Sequence, residues 1–224
     1  MRSVRIWFSK YSRAKYISHL DLMRFMSRAV RRAGIPLWYT EGFNPHPYMT
    51  FALPLSLGTE SKCESMDIRI EGEMSNDEIM KRLSESMPEG IEITAVTEPQ
   101  MKPSEIALGE YEIEFFCENP KEFSESLNDI LSGDELLVKK MGKSGRKKVE
   151  KEINLLENID SFSCSYNEKS AVLTITLPAG NTVNINPSLL CTAEKIESLG
   201  AESYTILRKR LMTCLLYTSP SPRD

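Results

Sequence analysis

The amino-acid sequence predicts an α+β fold made of two ferredoxin-like (β-α-β-β-α-β) sandwiches in tandem. Short runs that alternate large and polar residues indicate strands, and amphipathic runs between them indicate helices. The order β-α-β-β-α-β is typical of a four-stranded antiparallel sheet with two helices on one face. We assign it to residues 1–98 and again to residues 107–213, with the boundary near residues 98–106. Because no sequence repeat links the two halves, the duplication rests on element order alone.

The first half is predicted to begin with a strand over Val4–Tyr11 and a helix from His19 to about residue 33. Ser18 is the predicted N-cap of this helix, and Gly34 is its predicted end. The remaining elements are short strand-like pieces at 36–40 and 49–57, a strand at 64–71, a helix at 75–87 and a strand at 91–96.

The second half is predicted to follow a linker at residues 99–103. Its strands are predicted at 109–117, 136–141, 149–156, 163–166, 171–177 and 203–211, and its helices at 121–131 and 187–199. Residues 142–148 are predicted to be a polar basic loop, and the Gly-Lys-Ser-Gly within it lacks the spacing of a phosphate-binding P-loop. Residues 214–224 match the translation of a sequencing adapter residue for residue, so we predict that they are an artefact outside the fold.

Composition predicts a cytoplasmic protein. Hydrophobic residues make up 41% and charged residues 27% of the chain, as in ordinary soluble globular proteins. No run approaches the roughly 20 apolar residues of a membrane span, and the N-terminus does not resemble a signal peptide. The five cysteines contain no CxxC pair and no CxxxCxxC triplet, which argues against a zinc ribbon and against the cluster site of a radical enzyme. We expect no metal and no cofactor in this chain, and no membrane partner.

Charge is distributed unevenly along the chain. Residues 1–59 carry nine Lys and Arg against Asp21 and Glu41, a charge of +7, whereas the remainder carries a charge of −11. This polarity predicts a directed electrostatic surface that meets a polyanion or an acidic partner.

The two histidines of the chain are the candidate catalytic residues. His19 lies at the predicted helix N-terminus, where the macrodipole favours the neutral imidazole that a general base needs. The alternative is a histidine of the capping turn that packs on the sheet. His46 lies between Pro45 and Pro47, which stiffen the backbone on both sides. It is either a loop anchor, a substrate contact or a catalytic group.

A basic helix face is predicted to bind RNA or a protein partner. Four arginines fall opposite the apolar helix positions with only Asp21 among them, whereas solvated faces normally mix signs. Such a row suits phosphate binding, although a plain solvated face is the alternative. The predicted binding residues are Arg13, Lys15, Arg24, Arg28, Arg31, Arg32, Asn44, His46 and Tyr48. Aromatic residues around the same loop either stack on unpaired bases or pack in the core, and they are Trp38, Tyr39, Phe43, Tyr48 and Phe51.

Two long motifs connect the chain to a known family. KYSRAKYISHLDLMRFMSRAVRRAGIP at residues 10–36 and YTEGFNPHPYMTFALPLSLGTES at residues 39–61 strongly resemble the radical SAM-linked protein family, a bacterial domain of unknown function. Members of that family occur alone or as C-terminal extensions of radical SAM proteins, and they are often encoded near ribonuclease E/G. The resemblance implies an accessory chain whose radical SAM partner carries the iron–sulfur cluster and S-adenosylmethionine.

These observations predict a non-catalytic module that works with a radical SAM enzyme and binds tRNA or rRNA or presents substrate. One alternative is a metal-independent endoribonuclease, because the chain faintly resembles the CRISPR repeat-processing endoribonucleases, which are tandem ferredoxin-like proteins with basic helices. Another is a pure docking domain whose basic face meets an acidic surface of the radical SAM subunit.

Overall fold

The structure is a computed structural model that describes residues 1–144, 147–180 and 183–213, without the side chains of residues 140–151. It is a mixed α+β structure with a large β-sheet and few helices. The described chain divides into two units, the first made of residues 1–107 and 207–213 and the second of residues 108–206. The adapter-like residues 214–224 lie outside the described residues.

The first unit is a sheet with two helices. Its elements are β1 (Arg2–Lys10), α1 (His19–Arg32), β2 (Met49–Phe51), β3 (Thr59–Ile70), α2 (Asn76–Ser84) and β4 (Ile91–Thr97). β1 pairs antiparallel with β3 and with β4, and β2 pairs antiparallel with β3. The resulting strand order is β4-β1-β3-β2. A short 3-10 helix over Ser12–Tyr16 leads from β1 into α1.

The core of the first unit lies between this sheet and its helices. Alternate residues of β1 project from the same face of the strand, and on one face they are apolar and fully buried. α1 buries its apolar side in the same cluster, after an N-cap in which Ser18 Oγ accepts a hydrogen bond from the Asp21 amide at 3.2 Å. The helix ends at Arg32, and Gly34 follows the C-cap with a φ of +66°, a conformation that favours glycine. The buried residues from β1 and α1 are Val4, Ile6, Phe8, Leu22, Met26, Ala29 and Val30.

The opposite face of β1 is also buried, and the predicted linker packs on it. Arg5 binds both carboxylate oxygens of Asp67, at 2.7 and 2.8 Å, and donates a further hydrogen bond of 2.7 Å to the carbonyl of Met101. Because a bidentate carboxylate leaves guanidinium N–H groups to satisfy, the buried arginine takes a backbone acceptor from the chain that follows β4. Residues 99–103 are therefore part of the first unit rather than a free linker.

The second unit begins within β5 (Ile106–Phe116). It continues through α3 (Pro120–Leu131), β6 (Leu137–Ser144), β7 (Lys147–Asn154), β8 (Ser161–Tyr166), β9 (Ser170–Pro178), α4 (Ser188–Cys191), α5 (Glu194–Glu197) and the start of β10 (Ser203–Thr213). β9 pairs antiparallel with β5 and β8, and the start of β10 lies beside β5, where the Glu202 amide donates to the Phe116 carbonyl. The strand order is β10-β5-β9-β8, and β6 and β7 form a separate two-stranded sheet.

Two local predictions in the second unit are wrong. The predicted loop at 142–148 belongs largely to the β6–β7 hairpin, whose pairing continues to Ser144 and Lys147. The predicted helix at 187–199 is instead the two single turns α4 and α5, because Ala193 adopts an extended backbone between them. Thr192 contributes to the break, since its hydroxyl donates to the Ser188 carbonyl at 3.1 Å, and such local bonds compete with a regular helix.

The C-terminal strand returns to the first unit. The sequence-based division places all of 107–213 in the second half, whereas β10 runs from the second unit into the first at Leu207. The physical reason is an ion pair, because Arg208 Nε and Nη2 both donate to Glu64 Oε1 of β3, the former at 3.1 Å. Both side chains are almost completely buried, at 2% and 3% exposure.

Removing one partner of this pair tests its contribution to folding. Arg208→Met leaves the Glu64 carboxylate buried without its counter-charge, so we expect a loss of about 3–5 kcal/mol in the free energy of unfolding. The double variant Glu64→Leu/Arg208→Met should lose less, because it removes both members of the ion pair and leaves in the cluster only Lys10, which keeps its hydrogen bond to the Ile17 carbonyl. Urea denaturation measures both, with Lys62→Met on the exposed side of β3 as a neutral control. An Arg208→Met variant as stable as the wild type would contradict this assignment.

Candidate nucleic-acid interface

The exposed side of α1 is a stripe of arginines. Arg24, Arg28, Arg31 and Arg32, which we call the arginine face, are all exposed. At about 100° per residue they fall within roughly 100° of one another around the helix axis, opposite the buried residues. Arg24 forms an exposed ion pair of 3.1 Å with Asp21, and Arg32 donates to the Ser86 carbonyl at 3.1 Å. Arg13, a predicted binding residue in the 3-10 helix before α1, is also exposed.

Other cations of the basic N-terminal region are engaged inside the first unit. Arg5 binds Asp67, and Lys15 forms an ion pair of 3.2 Å with Glu60 in which the lysine side chain is mostly covered. Lys10 is buried at the end of β1. The predicted charge of +7 therefore reaches solvent mainly through the arginine face and Arg13, and we leave Lys15 out of the exposed set.

Residues 39–47, which we call the hairpin arm, project beside α1 as an ordered loop. Tyr39 and Pro47 form a β-bridge at its base, and the Thr40 amide donates to the His46 carbonyl at 2.9 Å. His46 reinforces this closure, since its amide donates to Thr40 Oγ1 at 3.2 Å and its Nδ1 lies 3.1 Å from the same oxygen. At the tip, Gly42 has a φ of +131°, a conformation that favours glycine. Residues 41–46 are all exposed.

The aromatic residues around the arm divide into three groups. Phe51 packs edge-to-face on Phe8 and joins the core. Trp38 and Tyr48 are half-buried around the Arg69 guanidinium, which lies 4.1 Å from the Tyr48 ring centre. The other two are exposed, and they are Tyr39, whose ring centre is 5.8 Å from the Arg31 guanidinium, and Phe43 at the tip of the arm.

The two candidate catalytic histidines occupy separate environments. The His19 ring is half-buried and packs edge-to-face on Phe51 at 5.4 Å between ring centres. Burial lowers the pKa of His19 below its ordinary value, Lys10 lowers it further, and the Glu64 carboxylate opposes both. His46 is exposed, and its ring faces Thr40 and the Asn44 carbonyl, at 3.2 Å from the latter. Within the described chain the two imidazoles do not contact each other, so the structure does not assemble them into a catalytic pair.

Sequence reasoning missed a cluster of buried charges beneath the start of α1. This buried charge cluster consists of Lys10, Glu64 and Arg208. Lys10 Nζ donates to the Ile17 carbonyl at 2.8 Å, and burial lowers the pKa of Lys10, with Glu64 opposing the shift and Arg208 adding to it. Arg208 also reaches the Leu53 carbonyl at 3.5 Å. The partners come from distant parts of the chain, so no local pattern could have revealed them.

No metal site is evident in the described chain. Among residues 1–144, 147–180 and 183–213, no three His, Cys, Asp or Glu side chains are grouped so as to hold a metal ion. The cysteines of these ranges are free, and burial raises the pKa of Cys63 and of Cys191 to about 12. Thiols with such high pKa values are poor nucleophiles at neutral pH. In the part of the chain that the structure describes, no helix has the length and apolar character that crossing a membrane requires.

Comparison with known proteins identifies a family but no activity. The family described as "Uncharacterized protein conserved in bacteria (DUF2344)" matches residues 3–187. None of the curated proteins matches the chain. A chain in the solved crystal structure of a Cbf5-Nop10-Gar1 complex is 9% identical, with a TM-score of 0.49. The similarity covers 93% of this chain and 48% of that chain, so this chain spans about half the length of the solved one.

The lowered pKa of His19 makes a pH-dependent contribution to stability. Because the unfolded chain binds this proton more readily than the folded protein, the contribution is fully present above the ordinary value of 6.5 and decreases as the pH falls toward the folded pKa. We expect NMR titration to place the His19 midpoint below 6.5, with His46→Gln used to assign the two resonances. The wild type should exceed His19→Gln in the free energy of unfolding by more at about pH 8 than at about pH 5. A His19 midpoint at or above 6.5 would contradict the burial that the structure shows.

Proposed function

Because the chain belongs to this uncharacterized bacterial family, we propose its function from the geometry of the first unit: a non-catalytic module that binds RNA and works with a radical SAM enzyme. The observation that carries the proposal is the arginine face, four exposed guanidinium groups in one stripe beside an ordered arm. The resemblance of residues 10–36 and 39–61 to the radical SAM-linked family supports the choice of partner, and tRNA or rRNA is the proposed ligand.

The chemistry of the arginine face matches a phosphate ligand and goes beyond what a solvated helix surface requires. Arginine keeps its charge throughout the physiological pH range and presents a fork of donors that matches phosphate oxygens. Asp21 offsets Arg24, at one end of the stripe, while Arg31 is ordered against the Tyr39 ring. The remaining charge points outward along one helix, as expected of a surface that follows a phosphate backbone.

We propose that each unit is a ferredoxin-like sandwich. The strand orders β4-β1-β3-β2 and β10-β5-β9-β8 support this, since both equal the order fourth-first-third-second of a β-α-β-β-α-β unit. In the first unit α1 and α2 follow the first and third strands, as that connectivity requires. In the second unit the β6–β7 hairpin interrupts the order, and α4 and α5 replace the second helix.

The proposed partner supplies the redox chemistry. The iron–sulfur cluster and S-adenosylmethionine would be carried by the radical SAM protein, as the resemblance of residues 10–36 and 39–61 implies. We propose that this chain holds an RNA substrate. The arginine face binds the backbone, and the hairpin arm orients a nucleotide or docks the partner.

Neutralising the arginine face should weaken RNA binding. We expect the variant with Arg24, Arg28, Arg31 and Arg32 changed to glutamine to bind tRNA more weakly. Each lost phosphate contact should reduce the log–log dependence of affinity on salt by roughly 0.7 for a single strand. Filter binding over a range of salt concentrations measures both quantities.

The matched control removes the same charge elsewhere. Four exposed lysines outside α1, also changed to glutamine, should leave the salt dependence nearly unchanged, and they are Lys62, Lys81, Lys121 and Lys169. Equal effects in the two variants would mean that net charge, and not the arginine face, carries the binding.

A second test separates binding from cleavage. We expect the purified protein, with EDTA present, to cleave neither tRNA nor hairpin RNAs above background, because the two imidazoles occupy separate environments and general-base catalysis needs a positioned partner. His46→Ala should weaken binding, since it removes the ring that closes the hairpin arm on Thr40. His46→Asn, which keeps a polar group near the Nδ1 position, should retain more of it. Cleavage that leaves a 2′,3′-cyclic phosphate and is lost in His19→Ala or His46→Ala would establish the ribonuclease instead.

A further inference from the structure

Phe43 is the most exposed large apolar side chain of the described chain. Its exposure of 111% means that the ring has no intramolecular cover at all. Burying such a side chain normally contributes to stability, and a flexible loop would let the ring fold back onto the protein. The hairpin arm prevents this, because its bridge at Tyr39 and Pro47 and its bonds between Thr40 and His46 fix the backbone on both sides of the tip.

The exposed ring stands on an arm whose base contacts the arginine face. The base of the arm is joined to α1 where Tyr39 lies under the Arg31 guanidinium. Phe43 is three residues beyond Thr40, so its Cα lies within about 10 Å of that residue even in an extended chain. An aromatic ring on a rigid support beside a row of phosphate-binding cations is the combination that single-strand-binding proteins use.

We propose that Phe43 stacks on an unpaired base of an RNA strand whose phosphates lie on the arginine face. This inference rests on the proposed RNA binding and adds its substrate class, a single-stranded or looped segment rather than a duplex. Each base has a π-face on which a phenyl ring can stack, so the contact requires no particular sequence. Bases inside an A-form helix are already stacked on each other and do not offer that face. The arm therefore selects unpaired RNA over duplex RNA, while the arginine face supplies affinity for any RNA.

Charge favours RNA over a protein pocket as the occupant. A docking pocket would have to bury Phe43 beside exposed guanidinium groups, whereas an RNA strand satisfies both at once, with bases on the ring and phosphates on the arginines. The single carboxylate of the arm, Glu41, lies before the tip, and the residues that follow Phe43 up to Pro47 carry no negative charge.

The test compares Phe43→Ala with the wild type on two forms of one RNA. The probe is a mixed-sequence RNA of about 12 nucleotides with a central 2-aminopurine, used as a single strand and as a blunt duplex. We expect Phe43→Ala to lose about 5- to 150-fold in affinity for the single strand, with duplex affinity and the salt dependence unchanged. Phe43→Trp should retain the affinity, and stacking should quench the 2-aminopurine fluorescence with the wild type and with Phe43→Trp only.

The control is Tyr166→Ala, which removes an exposed aromatic ring from β8 and should change neither affinity. Since Phe43 makes no internal contact, Phe43→Ala should unfold at the same urea concentration as the wild type.

If Phe43→Ala binds the single strand as tightly as the wild type, or loses affinity for both RNA forms equally, the stacking proposal is wrong while RNA binding stands. If the wild type binds neither form, the proposed function fails and this inference with it. If Phe43→Ala leaves RNA binding intact but abolishes association with the radical SAM partner, the ring is a protein anchor and the proposal is overturned.

Discussion

The Glu64 carboxylate, buried with Arg208 and Lys10, is the constraint on which the first unit depends. A buried carboxylate is tolerated only with counter-charges and hydrogen bonds, and Arg208 supplies both from the C-terminal strand. Arg208 also reaches the Leu53 carbonyl, and Lys10 holds the turn before α1 through the Ile17 carbonyl. One cluster thus joins β1, β3, β10 and the segment after β2, and it lies beneath the N-terminal end of the helix that carries the arginine face.

The first unit has two distinct groups of cations, those bonded inside the unit and those exposed on α1. Arg5, Lys10 and Lys15 are engaged by Asp67, by backbone carbonyls and by Glu60, whereas the arginines of α1 project outward. Arg24 pairs with Asp21 and Arg32 donates to the Ser86 carbonyl, but all four arginines are exposed and therefore accessible to a polyanion. The hairpin arm adds direction to this surface, since its closure by His46 holds one phenyl ring in solvent on an arm whose base contacts Arg31.

Local signals in the sequence predict local structure well, and distant pairings escape them. The limits of α1 follow from the Ser18 cap and from Gly34, which act within one turn of the helix ends. No local sequence pattern indicates that Glu64 pairs with a residue 144 positions later. The sequence-based prediction therefore placed β10 wholly in the second half. The prediction of a linker at residues 99–103 failed for the same reason. The Met101 carbonyl fixes this segment to the first unit by accepting a hydrogen bond from Arg5, a contact that exists only in the folded protein. Phe51 and Phe43 look alike in sequence, yet one packs in the core and the other is fully exposed, since only tertiary packing distinguishes them.

The central claim is that RNA lies along α1 and the hairpin arm, and ultraviolet crosslinking tests it most directly. The protein would be irradiated in its native cells, purified under denaturing conditions and digested, and peptides bearing nucleotides would be identified by mass spectrometry. The account predicts crosslinked nucleotides on peptides from residues 19–48, with Phe43 and Tyr39 as the modified side chains. Absence of RNA on these peptides, together with crosslinks confined to residues 108–206, would contradict it.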